Sequence, residues 1–279
     1  MALITNNNNL TIQRNFLCRL VFGCIFFLLV YDFLSHASLQ QLHSPALIFP
    51  YVDITYILFS LSKAESFVSE SFFLSSCFSL FLFAFCIAAF IWPNKRISIA
   101  LFFIFYFFYF LSYSNYGAHH IHSKIGILFI PIPFLFTGKN FLYAWEGLRY
   151  YALFVYADSF LWKLFRETWL DGKQGISIIK NNITPLLFSH PNYKLGGFYR
   201  YLFMHPAYAD VLFKIGFVFE GLFMIGFFTK KYDKYLILLS MLLAFGFLLL
   251  ADAFAFELLI LDLTLIYNFR NKINTEKLK

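Results

Sequence analysis

Residues 72–92 read FFLSSCFSLFLFAFCIAAFIW and carry no charged side chain. As an α-helix at ~1.5 Å per residue, a stretch of this length spans roughly 30 Å, the thickness of a bilayer's hydrocarbon core. The whole chain is similar, with 60% hydrophobic and only 13% charged residues, about half the usual charged share. The sequence therefore predicts an all-α polytopic transmembrane helical bundle. It excludes a disordered chain, a disulfide-rich secreted module and a coiled coil, and argues against a soluble enzyme.

Apolar runs recur along the chain and predict about eight spans, within a range of seven to nine. The first run, 16–34, is long for a signal-peptide core and is interpreted as an uncleaved span. The run 235–267 would extend about 50 Å as one helix, so we expect a break near Ala251 and Asp252 that makes two short spans. The other predicted spans are 72–92, 97–113, 125–136, 141–165 and 211–228.

The polar segments complete the predicted domain organisation. Residues 1–13 are predicted to be a disordered cytoplasmic tail, residues 14–268 the transmembrane domain, and residues 269–279 a basic cytoplasmic tail. The longest polar segment, 166–210, is rich in charges, glycine and proline. A connection of that length between compact helices is usually a lid or a binding segment.

The net charge of +7 is interpreted as a signal of membrane orientation. If the N-terminus is cytoplasmic, the short-loop cations all fall on the cytoplasmic side, as the positive-inside rule requires. The sequence thus predicts a multi-pass protein of the cell inner membrane with both termini cytoplasmic and 166–210 facing outward. The predicted partners are the lipid bilayer, with other membrane proteins left open, and no nucleic acid. The orienting cations are Arg14, Lys95, Arg96, Lys139, Lys230, Lys231, Lys234, Arg270 and Lys272.

Ionisable side chains in apolar runs are the first candidates for chemistry, because each costs about 2.5–3.5 kcal/mol at the bilayer centre. Desolvation favours the uncharged amine of Lys163 and would make it a base, whereas snorkelling to the headgroups would leave it charged. Glu220 must face a bundle interior or a wet cavity, pair with a cation, or be protonated. Its structural alternative is a helix-to-helix ion pair. The other candidates of this kind are Asp32, Asp158, Asp252, Glu257 and Asp262.

Three histidines, His119, His120 and His122, form a second cluster, in which residues 119 and 122 would share one helical face. Three interpretations of the cluster are open. It could be a metal site that needs a further ligand, a group that hydrogen-bonds a polar substrate or lipid headgroup, or a polar turn with no such role. No metal is predicted, because the cysteines are badly placed to complete a site. Those cysteines lie in apolar helical stretches and are expected to pack as small hydrophobic residues: Cys18, Cys24, Cys77 and Cys86.

Several short motifs resemble the HTTM domain, the membrane domain shared by vitamin K-dependent γ-carboxylase and bacterial relatives. The most specific is SFLWKL at 159–164, followed by WLDG at 169–172. The first span, with RLVFG at 19–23 and then Asp32, resembles the family's arginine–glycine–aspartate spacing. Asn115 with the following histidines resembles its Asn-His element. The likeness covers roughly residues 14–268, although Phe160 stands where the family has glycine and 235–250 lacks the family's histidine.

The resemblance implies a role for each matching residue. Lys163 corresponds to the lysine implicated as the base that deprotonates vitamin K hydroquinone. The implied substrate is quinone- or lipid-like and enters from the bilayer at the outer face, while the identity of any cofactor stays open. The catalytic set is then Lys163, Glu220, His119 and His122, and the substrate-binding set is Asp158, Trp169, Asp171 and Asn115.

Whether the chain is an enzyme is left open by the sequence. The alternative is a non-catalytic membrane subunit of a larger complex, with 166–210 as a docking lid. A proton-coupled transporter is a third reading, disfavoured because no internal repeat is visible.

Overall fold

A computed structural model describes residues 2–41, 59, 61–63, 71–116, 121–251 and 255–267. Within these ranges the chain is helical and has no β-strand, which confirms the all-α prediction. The first four α-helices of the described chain are α1 Ala2–Leu34, α2 Phe72–Ile91, α3 Arg96–Tyr116 and α4 Ile121–Phe129. The following helices are α5 Gly138–Phe165, α6 Gln174–Ser189, α7 Gly196–Met204, α8 Pro206–Leu222, α9 Ile225–Phe228, α10 Asp233–Ala251 and α11 Leu263–Ile266. Short 3₁₀ turns lie at Leu39–Gln41, Ile132–Leu135 and Leu258–Ile260.

Five helical segments are long and apolar enough to cross a bilayer, as expected of a multi-pass membrane protein. The predicted count of about eight is not confirmed. Helix α5, with 28 residues and five charged side chains, is not among them. The identity of the membrane and the sidedness of the termini stay predictions. The five segments are Leu10–Gln41, Phe72–Ile91, Arg96–Tyr113, Pro206–Phe228 and Asp233–Ala251.

Two other predicted spans are short in the structure. The stretch 125–136 is divided between helix α4 and the 3₁₀ turn that contains Pro133. The second half of 235–267 has only a 3₁₀ turn and the four-residue helix α11 within the described residues 255–267. The described part of helix α10 runs to Ala251, beside the expected break, and residues 252–254 lie outside the described residues.

The described residues form two compact units, the first ending at Trp145 and the second beginning at Glu146. In the first unit, α1 packs on α2 at two small buried residues of α2, Cys86 and Ala89. Small residues let two helix backbones approach closely where apolar lipid provides no hydrophobic driving force. The thiol of Cys86 lies 3.5 Å from the Phe22 carbonyl oxygen. All four cysteines are free, as predicted.

The N-terminal residues differ from the sequence prediction. Helix α1 begins at Ala2, so residues 2–13, expected to be a disordered tail, are helical. Leu10 is buried, and Arg14 is also buried instead of lying in a loop. The Arg14 guanidinium donates hydrogen bonds to the carbonyl oxygens of Phe134, Phe136 and Pro93. A buried leucine and an arginine that donates to three backbone carbonyls thus hold this part of α1 within the first unit.

The polar segment 166–210 contains two helices, α6 and α7, in the second unit. Helix α6 buries Ile176, Ile179 and Ile183, which recur on one helical face, against Tyr199 and Leu202 of α7. The same cluster includes Ala209 at the start of α8. The segment is therefore a packed helical pair, and its predicted role as a lid or docking element stays a prediction.

Gly175 is the tightest point of this packing, and we expect Gly175→Ala to lower the stability of the second unit by about 1–3 kcal/mol. A Cβ at this position would lie 2.7 Å from the Ala209 carbonyl carbon, and backbone cannot rotate away as a side chain can. The measurement is thermal unfolding of the purified protein in detergent. The matched control is Gly197→Ala, also at the second residue of its helix, where a Cβ meets nothing within 4 Å. Equal midpoints for the two variants would contradict the prediction.

Candidate functional site

Lys163 and Glu220 form an ion pair in the second unit. The Lys163 Nζ atom lies 2.5 Å from each carboxylate oxygen of Glu220, and 3.2 Å from the Ser159 Oγ atom. Lys163 is in the last turn of α5, and Glu220 is near the end of α8. Of the options left open for Glu220, the structure shows pairing with a cation.

The backbone after Lys163 holds the lysine in place. Helix α5 ends at Phe165, and Glu167 adopts a left-handed conformation with φ of 54°. The backbone N–H and the hydroxyl of Thr168 both donate to the Lys163 carbonyl oxygen at 3.2 Å. A left-handed residue that ends a helix in this way satisfies carbonyls that lack a partner within the helix.

Three aromatic rings pack on one another close in sequence to the ion pair. Phe217, one turn before Glu220, has the rings of Phe160 and Trp169 at centroid distances of 4.6 and 6.0 Å. Gly221 gives Phe160 its space, since a Cβ there would lie 2.9 Å from that ring. Phe160 therefore packs directly on α8. Trp169, a predicted substrate-binding residue, belongs to this aromatic group.

Other predicted site residues lie elsewhere or outside the described residues. Asp158 is an exposed residue of α5. Asp171 is exposed too, and it accepts the Lys173 backbone N–H at 2.9 Å in a local turn. Asn115 and His122 lie in helices α3 and α4 of the first unit, where only the backbone is described. His119, His120 and Asp252 lie outside the described residues, so their predicted roles stay predictions.

The sequence patterns did not reveal a polar stripe along α5, of which Lys163 is one member. Arg149, Tyr156 and Lys163 are spaced by seven residues, so they recur on nearly the same side of the helix, about 10 Å apart along its axis. Each faces a buried acid: Arg149 bonds Asp233 at 2.7 and 2.9 Å, and the Tyr156 hydroxyl lies 3.2 Å from an oxygen of Asp262. The spacing of seven was the signal available in the sequence.

A comparable ion pair lies in the first unit. The Lys124 ammonium is 2.8 Å from both carboxylate oxygens of Asp32, and the Tyr113 ring is 4.2 Å from the nitrogen. The Tyr109 hydroxyl lies 3.2 Å from the same carboxylate. Asp32 was a candidate from the sequence, whereas Lys124 was assigned to a polar turn.

Accessibility distinguishes these pairs. In each of them the carboxylate is buried, yet the side chain of Lys163 is 24% exposed, against 2% for Lys124 and 1% for Arg149. Lys163 is therefore the least buried cation of the three. Fully buried cations are suited to holding helices together, whereas a partly exposed lysine beside a buried acid can also exchange a proton with a bound molecule.

Metal binding finds no support in the part of the chain that the structure describes, which has no group of three or more His, Cys, Asp or Glu side chains placed to hold an ion.

Comparison with protein-family models, with curated proteins and with solved structures gives no match for this chain.

Proposed function

We propose that this membrane protein acts on a quinone- or lipid-like substrate at the outer face of the inner membrane, with Lys163 as the base, in the manner of the HTTM domain that the sequence resembles. The observation that carries the proposal is the exposure of Lys163 beside a Glu220 side chain that is only 2% exposed. The aromatic group of Phe160, Phe217 and Trp169 provides apolar surface of the kind that binds a quinone ring.

The proton balance follows from the ion pair. An ammonium has no lone pair, so Lys163 must first pass a proton along its 2.5 Å hydrogen bond to Glu220. The resulting amine and carboxylic acid are both neutral, and a low-dielectric site disfavours charges. The Lys163 lone pair then takes the proton of a substrate O–H group. This step leaves a lysine ammonium beside a substrate oxyanion, while Glu220 keeps the first proton.

The ion pair predicts that Glu220→Gln raises the reactivity of Lys163 toward a lipid-soluble N-hydroxysuccinimide ester in nanodiscs. Hydrogen bonds to charged groups contribute about 1.5–3 kcal/mol, and 1.4 kcal/mol is a factor of ten. Since the neutral amide in this variant would no longer hold the ammonium, we expect acylation to be about tenfold faster, as measured by mass spectrometry. Lys214 is the control, because it is more exposed and pairs with Asp210 instead.

Substrate class is tested in the same nanodiscs by adding a long-chain menaquinone in its reduced, hydroquinone form. We expect the hydroquinone to protect Lys163 from acylation and to leave Lys214 unprotected. If neither lysine is protected, the quinone proposal is wrong. A stoichiometric protein partner that protects Lys163 in its place would favour the alternative, a non-catalytic subunit of a membrane complex.

A further inference from the structure

Asp262 is a buried acid that the proposed function does not use. Its side chain belongs to the second unit, where only 3% of the residue is exposed. The Oδ2 atom lies 3.2 Å from the Tyr156 hydroxyl, while the Oδ1 atom is buried and has no hydrogen-bond partner among the described residues. A bare carboxylate oxygen in that position would keep its charge without water or a donor, which is costly in a protein interior.

Among the described residues, the one hydrogen-bond partner of the Asp262 carboxyl group is the Tyr156 hydroxyl on α5, and no cation is paired with this acid. The Ser240 hydroxyl on α10 donates to the Ile237 carbonyl oxygen at 2.8 Å. The Tyr156 ring stacks at 4.0 Å on Phe223. Glu257, in the same segment as Asp262, is another buried acid.

The cations of the same stripe on α5 are engaged elsewhere. Arg149 lies one heptad before Tyr156 and holds Asp233 through two hydrogen bonds. Lys163 lies one heptad after Tyr156 and holds Glu220. The stripe therefore has a cation paired with an acid at each end and a hydroxyl paired with an acid in the middle.

We infer that Asp262, with Tyr156, is a proton-binding site, and that its carboxyl group is protonated in the resting protein at neutral pH. The neutral acid removes the unpaired charge, and its second oxygen still accepts the Tyr156 hydroxyl. Acids inside membrane proteins that lack a cation are the groups that bind and release protons there. Protonation of Asp262 is independent of whether Lys163 is a base.

The test is infrared spectroscopy of the full chain in lipid, where a protonated carboxyl group absorbs apart from the amide bands and shifts in D₂O. We expect Asp262→Asn to abolish one such band. The matched control is Asp171→Asn, an exposed acid that should leave the band unchanged. We expect Tyr156→Phe to keep the band and move it to higher frequency, because one hydrogen bond to the carboxyl group is lost.

Each possible result of these experiments either supports or overturns the proton-binding site. If no protonated carboxyl band responds to Asp262→Asn, Asp262 is ionised and the inference fails. If that variant does not fold, Tyr156→Phe decides: a shifted band supports the site, and an unshifted spectrum overturns it. Thermal stability that rises with sodium chloride but not with potassium chloride, without the band, would identify a cation site and also overturn it.

Discussion

Replacing Arg149 with methionine is expected to lower the free energy of unfolding by about 3–5 kcal/mol, the usual effect of removing one partner from a buried ion pair. The guanidinium is almost fully buried, bonds both oxygens of Asp233, and donates to the Gly226 carbonyl oxygen at 3.0 Å. Methionine keeps most of the apolar volume and removes every donor. The loss therefore comes from a buried Asp233 carboxylate and a backbone carbonyl that no longer have a cation.

Thermal unfolding in detergent, monitored by circular dichroism, measures the effect. The double variant Arg149→Met with Asp233→Leu should recover part of the loss, because replacing a buried ion pair by apolar side chains is often neutral or stabilising. Lys231→Met is the control, because the Lys231 ammonium lies 5.8 Å from the Tyr232 ring at an exposed position, where such contacts contribute about 0.5–1 kcal/mol. If Arg149→Met unfolds like Lys231→Met, the ion pair does not stabilise the second unit.

The helical, membrane-embedded character of the chain could be predicted because it depends on local composition. A run such as 72–92 has no stable conformation in lipid other than a helix. The span count was harder, since α5 carries the charges of Arg149 and Lys163 on one stripe and has low hydropathy, although Arg149 is buried and both cations are paired. A mean hydropathy over a stretch of residues treats a buried, paired charge in the same way as a charge that faces lipid.

Single residues of the site could be predicted from the sequence, but not which of them pair with each other. Lys163 and Glu220 were identified separately, because each interrupts an apolar run, and the resemblance pointed to both. Asp233 and Lys124 were missed, because each stands in a polar stretch that the sequence presents as a loop. Whether a loop charge folds back to meet a buried partner is decided by tertiary packing, which a one-dimensional pattern does not contain.

In the first unit, we expect Lys124→Met to lower the free energy of unfolding by about 3–5 kcal/mol, because it too removes one partner of a buried ion pair. Its ammonium is sealed between the Asp32 carboxylate at 2.8 Å and the Tyr113 ring at 4.2 Å. Removing it would leave Asp32 buried with a tyrosine hydroxyl as a donor, which balances the carboxylate's charge poorly.

The control for Lys124 is Lys95→Met, because the Lys95 ammonium lies 4.8 Å from the Trp92 ring at an exposed position, where such contacts contribute about 0.5–1 kcal/mol. Limited proteolysis alongside thermal unfolding locates the damage: Lys124→Met should expose cleavage sites before residue 145, and Arg149→Met should expose them after it. If either variant opened both halves equally, the chain would unfold as a single cooperative body. In that case the two ion pairs would stabilise one structure, and their separate placement in the two compact units would carry no energetic meaning.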